Sequence, residues 1–197
     1  VDDKIALRRE LRRLRVELGP AYRDAAAHAL VRHARRWLRR GKRLGAYIAT
    51  GSELSLDPLI RAAQANGASV WLPVLPGRGR RLWFTQPRTR DRWYLNRYQI
   101  PEYDGPRRRA EKLDVLFVPL LGIDEQGYRM GQGGGFYDAT LAFRRRRLLA
   151  HKPLLIGVAF ECQRVPQVPR EPWDVQLDGL LTEQGLIRFT KQKMDAA

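Results

Sequence analysis

The run Arg129-Met-Gly-Gln-Gly-Gly-Gly-Phe-Tyr-Asp138 carries four glycines in five positions: Gly131, Gly133, Gly134 and Gly135. Without Cβ atoms, such a backbone can approach a ligand closely and take positive φ. Successive amide N–H groups ahead of a helix form an anion cradle, and phosphate is its natural occupant. Arg129 at the loop entrance could neutralise further phosphate charge. The plain alternative is a turn that needs glycine only for its geometry. The flanking arginine and aspartate weigh against it. Two familiar phosphate loops do not fit. Walker A ends in Gly-Lys-Ser/Thr, which does not occur here. The dinucleotide fingerprint needs glycine or alanine where this sequence has Phe136.

Asp138 reads either as a helix N-cap or, beside bound phosphates, as a Mg²⁺ ligand. Magnesium commonly takes only one or two protein carboxylates, with phosphates and water completing its shell. Asp174 and Asp178 follow Pro169 and Pro172 in a polar stretch, and Asp174 is the preferred second carboxylate. Solvated loop charge is the alternative for both. His28, His33 and His151 are scattered without metal-ligand spacing and read as surface or core histidines. Cys162 reads as a core residue beside the last buried strand.

These residues need elements to position them. Residues 4–18 predict an amphipathic helix with Leu7, Leu11, Leu14 and Leu18 on one face. Gly19-Pro20 ends it. Residues 21–40 predict a second helix, burying Leu30, Ala34, Trp37 and Leu38 and stopping at Gly41. Residues 44–49 read as a buried strand. Asp57-Pro58 reads as an N-cap followed by proline at the first helical position. Ser69 to Leu75 is a further strand, and Leu82 to Thr85 pairs locally with it. Residues 86–112 read as a long irregular segment around Tyr98-Gln99-Ile100-Pro101, of the kind that presents residues to a ligand.

Leu113 to Leu121 and Leu154 to Phe160 are nearly continuous apolar runs, as strands buried on both faces require. Asp138 to Leu149 reads as a helix, and 180–182 with 186–189 as a terminal hairpin around Gly185. Alternating strands and helices predict an α/β fold with a mainly parallel central sheet. No repeat or linker divides the chain, so residues 1–197 are expected to form one domain.

The 197 residues include 12 prolines and 17 glycines in no low-complexity tract, which excludes collagen, mucin and linker classes. A hydrophobic fraction of 44% suits a packed core. The apolar runs are strand-sized, far below the roughly 20 residues of a spanning helix. With no apolar signal core and a single cysteine, a cytoplasmic location is expected. The net charge is +16, from clusters such as Arg12-Arg13, Arg107 to Arg109 and Arg144 to Arg147. Solvated helix faces, nucleic-acid binding and attraction of small polyanions are all compatible with it. Without a zinc-finger or RNA-recognition signature, nucleic acid is not the expected partner.

The glycine-loop run resembles the signature of the 5-formyltetrahydrofolate cyclo-ligase (5,10-methenyltetrahydrofolate synthetase) family. The resemblance extends over most of the chain. It takes in Lys4-Ile-Ala-Leu-Arg8, Gly51-Ser-Glu53, Pro119-Leu-Leu-Gly-Ile-Asp124, Val158-Ala-Phe-Glu161, Trp173-Asp174 and Asp178. It implies a three-layer α/β/α sandwich. It also implies ATP- and Mg²⁺-dependent closure of 5-formyltetrahydrofolate to 5,10-methenyltetrahydrofolate, releasing ADP and phosphate.

By that resemblance Lys4, Arg8 and the loop residues Arg129, Met130, Gly131, Gln132, Gly133, Gly134, Gly135, Phe136 and Tyr137 would hold ATP. Arg129 and Tyr137 would act at the reacting centre. Ile48, Glu53, Tyr98 and residues 132–136 would contact the folate, which could be polyglutamylated. Asp138 and Asp174 would serve Mg²⁺. Tyr98 stands where some members carry tryptophan, and Gln132 and Gly134 where some carry basic residues. The enzyme is expected to be a monomer, since no long heptad seam is visible.

Overall fold

A computed structural model describes residues 2–146 and 152–190. Its centre is an eight-stranded sheet. The strands are β1 (Arg43–Gly45), β2 (Ser69–Val74), β3 (Trp83–Thr85), β6 (Arg107–Arg108), β7 (Val115–Pro119), β10 (Leu154–Val158), β12 (Gly179–Leu181) and β13 (Leu186–Arg188). The order across the sheet is β13-β12-β10-β7-β1-β2-β3-β6. The five inner strands β12, β10, β7, β1 and β2 run parallel. The outer strands are antiparallel, β13 on β12 at one edge and β3 then β6 at the other.

The apolar runs read from the sequence are these central strands, and their side chains alternate between two cores. Val115 and Phe117 of β7, with Ile156 and Val158 of β10, pack under helices α2 (Gly19–Ala34) and α3 (Asp57–Ala65). Leu116 and Val118, with Leu155, face the other way, toward the short helices α4 (Phe136–Leu141) and α5 (Phe143–Arg146). Helices therefore cover both faces of a largely parallel sheet, as expected. Helix α1 (Asp2–Glu17) lies apart, its Leu11 packed with Leu121, Met130 and Val168 against a small sheet of β8 (Gly122–Asp124), β9 (Arg129–Met130) and β11 (Arg164–Val165).

Several elements differ from the sequence reading. Gly19-Pro20 separates α1 from α2 by one residue only, because Gly19 takes φ +67° and proline is tolerated in a first helical turn. Helix α2 ends at Ala34, and Trp37 and Leu38 are buried from a turn rather than a helix. The predicted strand 44–49 leaves the ladder after the Ala46 amide donates to the Trp71 carbonyl at 2.9 Å. Residues 47–49 then continue outside any strand. Asp57 is the first residue of α3 rather than its cap, and the Ser55 hydroxyl accepts the Asp57 amide at 3.1 Å.

The segment read as irregular contains a hairpin of β4 (Trp93–Leu95) and β5 (Pro101–Tyr103), together with the edge strand β6. The predicted helix 138–149 begins at Phe136 and breaks after Leu141, while residues 147–149 and His151 lie outside the described residues. Arg144, read as part of a solvated cluster, is 6% exposed and paired with Asp178 at 2.8 Å. Arg147 of the same cluster lies outside the described residues. The terminal hairpin forms as β12 and β13.

Candidate active site

Strand β7 ends at Pro119, and the chain passes through the small sheet before β9 delivers the glycine loop to the carboxyl ends of the parallel strands. That edge is where open α/β sheets bind ligands. A cleft of about 820 Å³ opens there. Every candidate site residue named from the sequence except Asp178 lines it. Lys4 and Arg8 come from α1, Ile48 and Glu53 from the chain leaving β1, and Tyr98 from the hairpin. Residues 129–138 form a further wall, and Asp174 comes from the loop before β12. Asp178 does not line the cleft. Its carboxylate accepts from Arg144 and from the Leu155 amide at 2.8 Å, so it serves the fold.

The loop conformation explains its glycines. Gly133 takes φ +101°, and Gly135, which caps α4, takes φ +68°. Both values favour glycine strongly. At Gly131 and Gly133 an added Cβ would meet nothing within 4 Å, so there the missing side chain leaves open space. Among the described residues, none of the amides from Gly131 to Gly135 donates to another protein atom. Unpaired amides lining a cleft are the donors an anion requires.

Cations surround this nest. Arg8 Nε donates to the Gly131 carbonyl at 3.1 Å. Arg12, a turn further along α1, donates to the Gln132 side-chain oxygen from Nε at 3.1 Å and Nη2 at 2.8 Å. Arg80, in the turn after β2, sits against Gly135, where a Cβ would meet its Nη1 at 3.0 Å. Lys4 Nζ pairs with Glu171 Oε1 at 2.5 Å. The sequence reading missed Arg12 and Arg80 as neighbours of the loop. The spacing of Lys4, Arg8 and Arg12 on one helix face was the available signal for the first.

Arg129 lies beneath the loop, its side chain only 4% exposed. Its Nη2 donates to Asp138 Oδ1, and its Nη1 to the Val175 carbonyl at 3.4 Å. Burial pulls the guanidinium pKa down, opposed by Asp138, Asp174 and Tyr137. It remains a cation at neutral pH. Asp138 stands in the first turn of α4 with Gly135 at the cap position, so its carboxylate is the partner of Arg129 and not an N-cap. The Tyr137 hydroxyl is buried without a hydrogen-bond partner among the described residues. Burial, reinforced by the charge of Glu53, pushes its pKa above the usual phenol value, with Arg129 opposing. Tyr137 lines the cleft, and its undonated O–H is a hydrogen-bonding capacity that the fold itself leaves unused.

The opposite wall is fixed by local hydrogen bonds. Glu53 Oε2 accepts the Thr50 amide at 2.9 Å and its hydroxyl at 3.1 Å. Tyr98 meets Phe136 edge-on, ring centroids 6.1 Å apart. Asp174 Oδ2 accepts the Glu171 amide at 2.8 Å. Asp138 and Asp174 share the cleft with three further carboxylates, Glu53, Glu102 and Glu171. No group of three or more His, Cys, Asp or Glu able to hold a metal exists among the described residues.

Comparison with known proteins agrees with this architecture. A family model described as the 5-formyltetrahydrofolate cyclo-ligase family matches residues 1–183. The 5-formyltetrahydrofolate cyclo-ligase of Haemophilus influenzae is 31% identical over 184 residues, 89% of this chain and 95% of that protein. The Escherichia coli protein of the same name is 36% identical over 140 residues, 69% and 75% of the two chains. The solved structure of Aquifex aeolicus 5,10-methenyltetrahydrofolate synthetase superposes with a TM-score of 0.75 at 25% identity, covering 98% of this chain and 96% of that one. With the glycine loop, the cleft and these likenesses in agreement, the chain belongs to the 5-formyltetrahydrofolate cyclo-ligase family and is a ligase enzyme.

Proposed function

We propose that the cleft binds ATP and 5-formyltetrahydrofolate side by side and closes the folate to 5,10-methenyltetrahydrofolate, with release of ADP and phosphate. The observation that carries this reading is the row of undonated amides from Gly131 to Gly135, flanked by Arg8 and Arg80. A polyphosphate is the ligand such a nest and its cations fit. The apolar and aromatic wall of Ile48, Tyr98 and Phe136 suits a flat heterocycle, with Glu53 to accept from its N–H groups.

The chemistry asks mainly for positioning and charge neutralisation. The formyl oxygen attacks the γ-phosphorus, and the bond to the ADP oxygen breaks. The resulting phosphorylated iminium carbon is then attacked by the folate's own N10 amine. Phosphate leaves with its bonding electrons, and the amine proton passes to solvent. Arg129 and the loop amides face the transferring phosphoryl group, and Tyr137 offers its hydroxyl to an oxygen of the reacting centre. Lys4 and Arg8 hold the outer phosphates, which requires Lys4 to exchange its Glu171 partner for phosphate.

A magnesium ion would be held by Asp138 and Asp174 together with the phosphates. Asp138 and Asp174 both line the cleft and both act on the charge of Arg129, and one or two carboxylates are the sparse protein coordination Mg²⁺ accepts. Bound there, it would supply charge neutralisation of the β- and γ-phosphates. The wider positive charge is in good part engaged within the fold. Arg108 stacks on Trp71, Arg109 stacks on Trp83, and Arg13 pairs with Glu10 and Glu17. This favours a small-molecule enzyme over a nucleic-acid binder. No helix among the described residues is long and apolar enough to cross a membrane, and we place the enzyme in the cytoplasm as a monomer.

Turnover tests the proposal. The purified protein with 5-formyltetrahydrofolate, ATP and Mg²⁺ should generate the methenyl chromophore, with one ADP formed per product. Omission of ATP or Mg²⁺ should abolish it. Salt-sensitive RNA binding without chromophore formation would overturn the reading in favour of a nucleic-acid partner.

A further inference from the structure

Glu102, at the centre of β5, is 3% exposed and carries no ion pair among the described residues. A buried carboxylate without a cation is costly unless hydrogen bonds compensate it. Here three donors from three parts of the chain do so. The Leu75 amide just beyond β2 donates to Oε1 at 2.9 Å. The Asn96 side-chain amide donates to the same oxygen at 2.7 Å. The Tyr94 hydroxyl donates to Oε2 at 2.7 Å. The carboxylate thus pins the β4–β5 hairpin to the end of a central strand.

Asn96 carries the constraint onward. Its Oδ1 accepts the Tyr98 amide at 2.8 Å and the Ile100 amide at 3.2 Å. Its own amide donates to the Ile100 carbonyl at 3.0 Å, closing the tip. Gln99 within that tip takes φ +58°, a left-handed conformation that needs such support. The Tyr98 ring is 54% exposed, so core packing does not fix its place. The tip backbone does, and it sets the ring edge-on to Phe136 across the cleft.

We infer that Glu102 is a positioning residue, acting through Asn96 to hold Tyr98 against the folate side of the cleft. The inference rests on the folate reading proposed above. It assigns Glu102 to folate affinity and not to nucleotide affinity or the chemical step.

Kinetics of Glu102→Leu in the full chain test it, with Glu102→Gln as the conservative partner. Glutamine keeps an oxygen for Leu75 and Asn96, and its NH₂ can donate to the Tyr94 oxygen. The leucine variant should raise KM for 5-formyltetrahydrofolate about tenfold, with KM for ATP and kcat within about twofold. The glutamine variant should restore the folate KM to within about twofold of the parent. Should Glu102→Leu not fold, Asn96→Ala should give the same split. A second readout needs no folate: tryptic cleavage after Arg97 in the tip should accelerate at least about fivefold in the leucine variant and not in the glutamine one. Equal rises in both KM values, or an unchanged folate KM, would overturn the inference. If the parent turns over no folate, the proposed function fails, and the cleavage rate alone then decides whether Glu102 positions the tip.

Discussion

Asp138 accepts a hydrogen bond from the buried guanidinium of Arg129, so the carboxylate proposed for magnesium is also the counter-charge of the arginine under the glycine loop. The two tasks are compatible, since a carboxylate offers about four lone-pair sites. They join the loop, the first turn of α4 and the proposed metal position into one unit.

Substitutions at Asp138 separate those tasks. Asp138→Ala leaves Arg129 buried with only the Val175 carbonyl at 3.4 Å. Because Asp138 is itself partly exposed, the cost should fall near the low end for a broken buried pair, about 2–3 kcal/mol. Asp138→Asn keeps an acceptor and should cost about 1 kcal/mol. Both should lower kcat/KM for Mg²⁺-ATP by at least about tenfold. Urea titrations with steady-state kinetics check this. An asparagine variant with undiminished rate would remove the metal role.

The glycine loop makes a paired prediction. Gly131 has no positive φ and open space around its missing Cβ, so Gly131→Ala should leave stability within about 0.5 kcal/mol. It should still raise KM for ATP about tenfold, because the methyl would stand where the phosphate is proposed to approach. Gly133→Ala adds strain at φ +101° and should also lose about 1–2 kcal/mol of stability. Equal nucleotide affinity in all three proteins would contradict the cradle.

Tyr137→Phe removes a buried hydroxyl that has no partner among the described residues. Stability should be unchanged or rise by about 1 kcal/mol. If the hydroxyl serves the reacting centre, kcat should fall about tenfold or more at unchanged stability. Calorimetry beside kcat decides it, and a wild-type rate would exclude Tyr137 from the chemistry.

A pH dependence should arise away from the cleft, at the start of β7. Burial alone would raise the Asp114 pKa, but hydrogen bonds from Arg43 and Lys152 outweigh it and hold the carboxyl well below the usual range. A depressed folded-state pKa stabilises above the unfolded value, about pH 4, and that contribution fades as pH falls through the folded value. Asp114→Asn should therefore be less stable than the parent by about 1–2 kcal/mol at pH 7, with the gap shrinking below about pH 3. A gap of constant size in urea melts at both pH values would contradict the assignment.

Much of this was legible in the residues. Leu113 to Leu121 and Leu154 to Phe160 announce central strands because burial on both faces leaves no polar positions. The glycine run announces a ligand loop because few other structures need so many missing side chains together. The β4–β5 hairpin was not legible. Trp93, Tyr94 and Leu95 are all exposed, so no alternation marks the strand. Its support comes from Glu102, whose partners Leu75 and Tyr94 are 27 and 8 residues away. Charge patterning also misled at Arg144. It reads as part of a solvated cluster, yet it is 6% exposed, and only the packing of distant segments reveals it. The end of α2 at Ala34 was hidden for a similar reason, since Trp37 and Leu38 are buried whether helix or turn presents them.

The most direct measurement is a crystal structure with a non-hydrolysable ATP analogue and 5-formyltetrahydrofolate bound together. The account predicts phosphate oxygens within hydrogen-bond distance of the amides between Gly131 and Gly135, with the folate ring between Tyr98 and Glu53. A triphosphate seated elsewhere, with that segment turned from it, would contradict the account.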